Sequence, residues 1–152
     1  QTERPIMQTV TNVLDYDVSV DRLWAVAMDY SALAYCMRGK VRFSHLPDGR
    51  PYSGQVIDLR VSLLGVLPWQ PYRIEMLEFS EEDRVMQSLE QGSGVQMWRH
   101  RATATETATG SRLTDVIDIE AGWKTPVVAA WARWMYQGRH KPRLELLASG
   151  QY

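Results

Sequence analysis

Hydrophobic and polar positions change period several times along the chain, and each change marks an element. Residues 5–17 are rich in Thr, Val and Asn and predict a strand. Ser19 then offers an N-cap to Val20, Leu23, Trp24 and Ala27, whose i, i+3, i+4, i+7 spacing is helical, and Asp21 in the first turn suits the helix dipole. A second short helix is expected from near Ser31 to before Gly39. Past Gly39 the period becomes two. Val41 and Phe43 alternate with Lys40, Arg42 and Ser44, and Pro47-Asp48-Gly49 signals a turn. Ile57, Leu59, Val61 and Leu63 then alternate with Asp58, Arg60 and Ser62, the one-wet, one-dry pattern of an antiparallel strand. After a turn around Pro68, Ile74 and Met76 share a phase that Leu77 and Phe79 break, which predicts a β-bulge near Met76.

Residues 85–90 and 95–106 predict two strands joined by a turn at 91–94, and residues 111–120 a last strand after a turn at 107–110. Gly122 and Pro126 lead into a final helix, near 126–148, with Val127, Val128, Trp131, Trp134, Met135 and Gly138 on one stripe. Pro142 should kink or end it, because proline lacks a donor and clashes with the carbonyl of Gly138. One strand, two short helices, a run of strands and a long amphipathic helix argue α+β, with the helix packed on one face of an antiparallel sheet.

Asp17-Val18-Ser19-Val20-Asp21-Arg22-Leu23-Trp24 followed by Asp29 is similar to the strand-to-helix entry of the START-like, or SRPBCC, superfamily. Ser111-Arg112-Leu113-Thr114-Asp115 after Gly110 resembles its penultimate turn, and Met135-Tyr136-Gln137-Gly138-Arg139-His140 the closing helix of the polyketide cyclase/dehydrase-like branch. In element order the resemblance covers essentially the whole chain, as a single ligand-binding domain over residues 1–152. It implies the helix-grip fold: a curved antiparallel sheet of about seven strands wrapped around a long C-terminal helix, with an apolar cavity between them. Leu59, Val61, Met76, Trp98 and Ile117 from the strands, with Trp131, Trp134, Met135 and Gly138 from the helix, would then line that cavity. Gly138 fits such a space because glycine inside a helix costs roughly 1 kcal/mol against alanine. The connections at 65–71, 91–94 and 121–126 would lie at one end, with Leu67, Trp69 and Trp123 at the mouth.

Composition narrows the partners. The chain has 152 residues, 45% hydrophobic and 23% charged, which excludes a disordered chain. With 17 Lys+Arg against 18 Asp+Glu, the net charge of -1 gives no pull toward nucleic acid or an acidic membrane. Cys36 is the only cysteine; no disulfide can form within the chain, and a reducing, cytoplasmic location is expected. No run approaches the roughly 18 apolar residues of a membrane span. Residues 1–5 carry no signal-peptide pattern, although the start at Gln1 leaves an upstream segment open. Six Trp and seven Tyr against two Phe favour cavity walls or interfaces, since both rings carry a polar handle.

The phosphate-loop, dinucleotide, nucleophile-elbow and zinc-protease motifs are all missing, and His45, His100 and His140 lack metal-ligand spacing. No metal and no cofactor is expected. Strand phase singles out one polar pair. In 95–106, Trp98, His100, Ala102 and Ala104 share a face opposite Arg99, Arg101, Thr103 and Thr105, and the charged set belongs outside. In 111–120, Asp115 belongs to the apolar set of Leu113, Ile117 and Ile119. An even-length turn places Ala102 opposite Asp115 and His100 opposite Ile117, leaving His100 and Asp115 as diagonal neighbours roughly 7–8 Å apart on the inner face. Such a pair can orient a ligand, do acid–base chemistry, or simply be satisfied by water and backbone. Arg139, His140, Lys141 and Arg143 read as a solvated basic cluster complementing a helix C-terminus.

Three functions are compatible with the resemblance. The first is binding of a small apolar molecule, such as a lipid, quinone or aromatic polyketide-like compound. The second is a polyketide cyclase/dehydratase-like or hydrolase-like enzyme using His100 and Asp115. The third is an interaction scaffold with a vestigial cavity. The oligomeric state is left open.

Overall fold

A computed structural model describes residues 7–152. Seven strands form one antiparallel, curved sheet: β1 (Met7–Tyr16), β2 (Val41–Ser44), β3 (Val56–Leu63), β4 (Gln70–Ser80), β5 (Val85–Gly92), β6 (Val95–Glu106) and β7 (Ser111–Glu120). Their order is β1-β7-β6-β5-β4-β3-β2, so the first strand closes onto the last and only one link in the sheet is non-sequential. Residues 5 and 6 of the expected first strand lie outside the described residues. Between β1 and β2 run α1 (Val20–Ala27) and α2 (Tyr30–Cys36). Ser19 caps α1 by accepting from the Arg22 N–H, and Asp29 caps α2 by accepting from Ser31.

The alternation of side chains decides what faces inward. β6 and β7 pair with Ala102 opposite Asp115 and His100 opposite Ile117. The turn between them is held by Gly110, where a Cβ would come within 2.1 Å of the Tyr16 carbonyl oxygen, so only glycine permits that approach. In β4 the pairing with β5 shifts between Met76 and Glu78. Leu77 is the extra residue and points outward, while Phe79 returns to the inner phase and stacks on Trp24 with ring centroids 5.9 Å apart.

The C-terminal helix is broken. A short 3₁₀ turn (Gly122–Lys124) leads into α3 (Thr125–Gln137), and α4 (His140–Ala148) follows after Gly138 and Arg139. The break falls where Pro142 dictates. A continuous helix would set the proline ring against the Gly138 carbonyl and leave that carbonyl without its donor. Here Pro142 sits in the first turn of α4, where a missing N–H has no helical partner to lose.

The buried face of α3 also differs from the expected stripe. Thr125, Ala129, Ala132, Met135 and Tyr136 are buried, whereas Val127 and Trp134 are 70% and 49% exposed. Ala129 and Ala132 are fully buried in a cluster with Val10, Ile117 and Ile119; their lack of bulk lets the helix approach the sheet. A second cluster joins α1 and α4 to the sheet through Leu23, Trp24, Leu113, Leu146 and Leu147.

Candidate functional site

Between the two clusters lies a cavity of about 370 Å³ that draws residues from both. Its volume falls within the range of small-molecule sites, roughly 300–1,000 Å³. Val61 and Met76 line it from the sheet, Leu33 and Met37 from around α2, and Trp131 and Met135 from α3. Leu63 at the end of β3, Ser93 and Val95 around the β5–β6 turn, and exposed Val127 near the start of α3 also line it.

The polar side chains of the wall are concentrated on β5, β6, β7 and the broken helix. His100 and Asp115 are both buried, and His100 Nε2 lies 2.7 Å from Asp115 Oδ1. The diagonal placement leaves a gap between backbones that an imidazole and a carboxymethyl group together span. Tyr136 reaches in from α3, its hydroxyl 3.3 Å from His100 Nδ1 and its ring edge-on to the imidazole at 5.0 Å. Trp98 stacks on the other side of Tyr136 at 6.3 Å. Among the described residues Asp115 Oδ2 has no hydrogen-bond partner, nor does Nδ2 of Asn12, which pairs with Asp115 across β1 and β7.

Burial pushes the Asp115 carboxyl up. The hydrogen bond from His100 and the charges of His100, Arg143 and Arg139 outweigh it and hold the group below its ordinary value. An ionised carboxylate only accepts, so Nε2 of His100 carries the proton between them. With the ring neutral Nδ1 accepts from the Tyr136 hydroxyl, and with the ring charged Nδ1 donates to it. Burial, with smaller contributions from nearby charges, pushes that hydroxyl far above the usual phenol range, so Tyr136 stays protonated. The result is a hydrogen-bonded chain linking Tyr136, His100 and Asp115 on the wall of an apolar cavity.

The lowered Asp115 value has a pH signature. A carboxyl held below its unfolded value stabilises the fold fully above that value, 3.8, and the contribution fades as pH falls through the lower, folded one. Asp115→Asn should therefore be less stable than wild type by about 1–3 kcal/mol at neutral pH. The difference should hold down to about pH 5 and shrink below about pH 4. Urea titrations across that range check it; a difference that grew in acid would reverse the assignment.

Other candidate residues fall elsewhere. Leu59 and Ile117 face inward but are packed in the core beside the cavity, off its wall. Trp134 lies on the outer flank of α3, its ring 5.1 Å from Trp131 and the Lys40 ammonium 5.3 Å from it. The stripe that placed it inward favoured large aromatics over alanines, and the alanines are the buried positions. Gly138 faces Lys40 instead of open space: a Cβ there would come within 2.6 Å of Lys40 Cε. Leu67, Trp69 and Trp123 do not line the cavity. Trp123 is 81% exposed beneath the Lys124 ammonium, and Trp69 pairs with the Arg42 guanidinium.

Residues not singled out by strand phase complete the wall. Glu90 accepts from the Tyr72 hydroxyl at 2.8 Å and from Ser88 at 3.1 Å. Arg139 and Arg143 are buried and line the cavity, contrary to the solvated cluster expected of them. Because the helix breaks at Gly138, Arg139 sits at the junction of α3 and α4 and Arg143 in the first turns of α4, away from the C-terminus of the last helix. Their four-residue spacing, one turn after Tyr136, was the available signal.

A family model matches residues 16–146, most of the chain and every element that forms the cavity. The chain belongs to the family described as Domain of unknown function (DUF8410). No curated protein matches it in sequence. Solved structures place this DUF8410 member among helix-grip proteins. A Chromobacterium violaceum protein superposes with a TM-score of 0.72 at 14% identity, covering 91% of this chain and 95% of that one. The Zhui aromatase/cyclase from Streptomyces sp. R1128 gives 0.66 at 18% identity, covering 92% and 93%. A Thalictrum flavum norcoclaurine synthase point mutant, solved with a transition-state analogue, gives 0.64 at 16% identity, covering 95% and 98%. At these identities the likeness is one of fold, the helix-grip fold, in which function is set by the side chains of the site. No helix among the described residues is long and apolar enough to cross a membrane. No group of His, Cys, Asp and Glu among them is arranged to hold a metal ion.

Proposed function

We propose that this protein binds one small, largely apolar molecule in the cavity between the sheet and the C-terminal helices. His100, Asp115 and Tyr136 meet its polar end, and Val61, Met76, Trp98, Trp131 and Met135 form apolar walls. The observation that carries the reading is the void of about 370 Å³ beside a buried, hydrogen-bonded polar group. A folded chain gains by packing such space, since lining atoms otherwise lack partners on one side.

The test is saturable binding of the neutral fluorescent probe N-phenyl-1-naphthylamine. Wild type should bind it at one site. Val61→Phe should place a ring in the void, weaken the probe by about tenfold or more, and leave melting unchanged or higher, because the strand tolerates an aromatic and extra apolar area is buried. Absence of saturable binding, or a Val61→Phe variant that loses stability and binds normally, would defeat the reading. The first result would point to a scaffold with a vestigial cavity.

The proton chain favours a second reading, a cyclase/dehydratase-like or hydrolase-like enzyme. Tyr136 would donate its proton to a ligand oxygen, His100 Nδ1 would take a proton from the ligand and pass it back to the Tyr136 oxygen, and Asp115 would stabilise the ring while it is charged. Turnover of a bound compound that both His100→Asn and Tyr136→Phe abolish would decide for it.

A further inference from the structure

Among the described residues no carboxylate makes direct ion-pair contact with two guanidinium groups of the cavity wall. Arg139 and Arg143 are 9% and 5% exposed, both line the void, and neither ion-pairs with a carboxylate among the described residues. Among the described residues Nε of Arg139 has no hydrogen-bond partner, and its guanidinium carbon sits 4.1 Å from the centre of the Tyr136 ring. Arg143 has one hydrogen bond, 3.4 Å to the neutral Tyr16 hydroxyl. The carboxylates around the cavity are engaged by other donors. Glu90 takes Tyr72 and Ser88, Asp115 takes His100, and Asp29 takes the Tyr152 hydroxyl and the Ser31 N–H.

A buried guanidinium keeps five donors that water no longer serves, so these groups retain hydrogen-bonding capacity that an anion in the cavity can take up. Helix geometry aims both groups alike: Arg139 precedes α4 and Arg143 follows one turn later, on the same face.

We propose that the ligand of this cavity is an apolar monocarboxylic acid whose carboxylate sits against Arg139 and Arg143. The inference rests on the ligand-binding reading above and adds the charge of the ligand to it. A carboxylate matches the fork of donors on a guanidinium, which a neutral hydroxyl or carbonyl engages less completely. A single negative charge is favoured over a phosphate, because Asp115 and Glu90 line the same cavity and would repel a dianion.

Decanoate and decanol separate the alternatives, since they share a chain and differ in the head group. Calorimetric titration of the full chain at pH 7.5 should show decanoate binding about tenfold or more tightly than decanol. Arg139→Met and Arg143→Met, which keep much of the stem volume, should each weaken decanoate about tenfold while changing decanol by less than about twofold. Both variants should melt somewhat lower, because the charges of Arg139 and Arg143 help hold the buried Asp115 carboxylate, so affinities are measured well below each transition. If removing the Tyr16 contact unfolds the Arg143 variant, Arg139→Met alone decides, because the Arg139 side chain makes no hydrogen bond. Equal binding of decanol and decanoate, or full decanoate affinity in Arg139→Met, overturns the proposal while leaving the cavity reading intact. Binding of neither compound overturns both.

Discussion

His100→Leu is expected to lower the melting temperature by roughly 6–20 °C at neutral pH, from a loss of about 3–5 kcal/mol. Among the described residues the histidine is the only side-chain hydrogen-bond partner of Asp115, and Asp115 Oδ2 has none. Removing the imidazole leaves an ionised carboxylate 2% exposed between strands, with only the more distant charges of Arg143 and Arg139 to offset it. The informative comparison is His100→Leu with Asp115→Leu in one chain. Replacing both members of a buried ionic pair with apolar groups is often neutral or stabilising, so the double variant should recover most of the loss. Thermal melts of the two single variants and the double close the cycle. A single variant that melts within about 2 °C of wild type would mean the carboxylate is satisfied some other way. A double variant no better than the single would mean the pair itself stabilises the fold. Recovery in the double variant would instead show that the pair's presence is not explained by stability, as expected of groups placed to meet a ligand.

That pair was legible in the sequence because strands are simple to read. Period-two alternation fixed the inner face of β6 and β7, and an even-length turn then fixed their register, leaving His100 and Asp115 one place to be. The bulge at Met76 was legible for the same reason: a strand can change phase only by adding a residue. The helical side of the site was not. On α3 the ranking of apolar residues by size selected Trp134, whereas packing against β1 selected Ala129 and Ala132, since close approach requires small side chains. The same misjudged rotation hid Tyr136, which completes the proton chain. Arg139 and Arg143 were hidden by a different step. A basic run at the end of one long helix belongs in solvent, but Pro142 divides that helix and makes the run a beginning. The break was foreseen; its effect on the neighbouring side chains depended on a cavity the sequence pattern does not contain.

Ile117 tests the line between wall and core most directly, because strand phase alone assigns it to the ligand. It is fully buried between its cross-strand neighbours Val10 and His100, within the cluster that holds Ala129 and Ala132 of α3 against the sheet, and it does not reach the cavity. Ile117→Ala should therefore act as a core truncation and cost about 2–5 kcal/mol, the lost transfer energy plus the hole left under the helix. For a chain of this length that corresponds to a fall of roughly 4–20 °C in melting temperature. Binding of N-phenyl-1-naphthylamine, measured well below the new transition, should stay within about twofold of wild type, because no wall atom has been removed. Trp98→Ala supplies the contrast. Trp98 is buried and lines the void, so its truncation should destabilise and also change probe affinity, the ring being both core and wall. If Ile117→Ala altered affinity as strongly as Trp98→Ala, the ligand would have to reach beneath the helix, and the cavity would extend past Met135 to the sheet floor. If it left melting unchanged, the close packing of α3 on the sheet would be wrong.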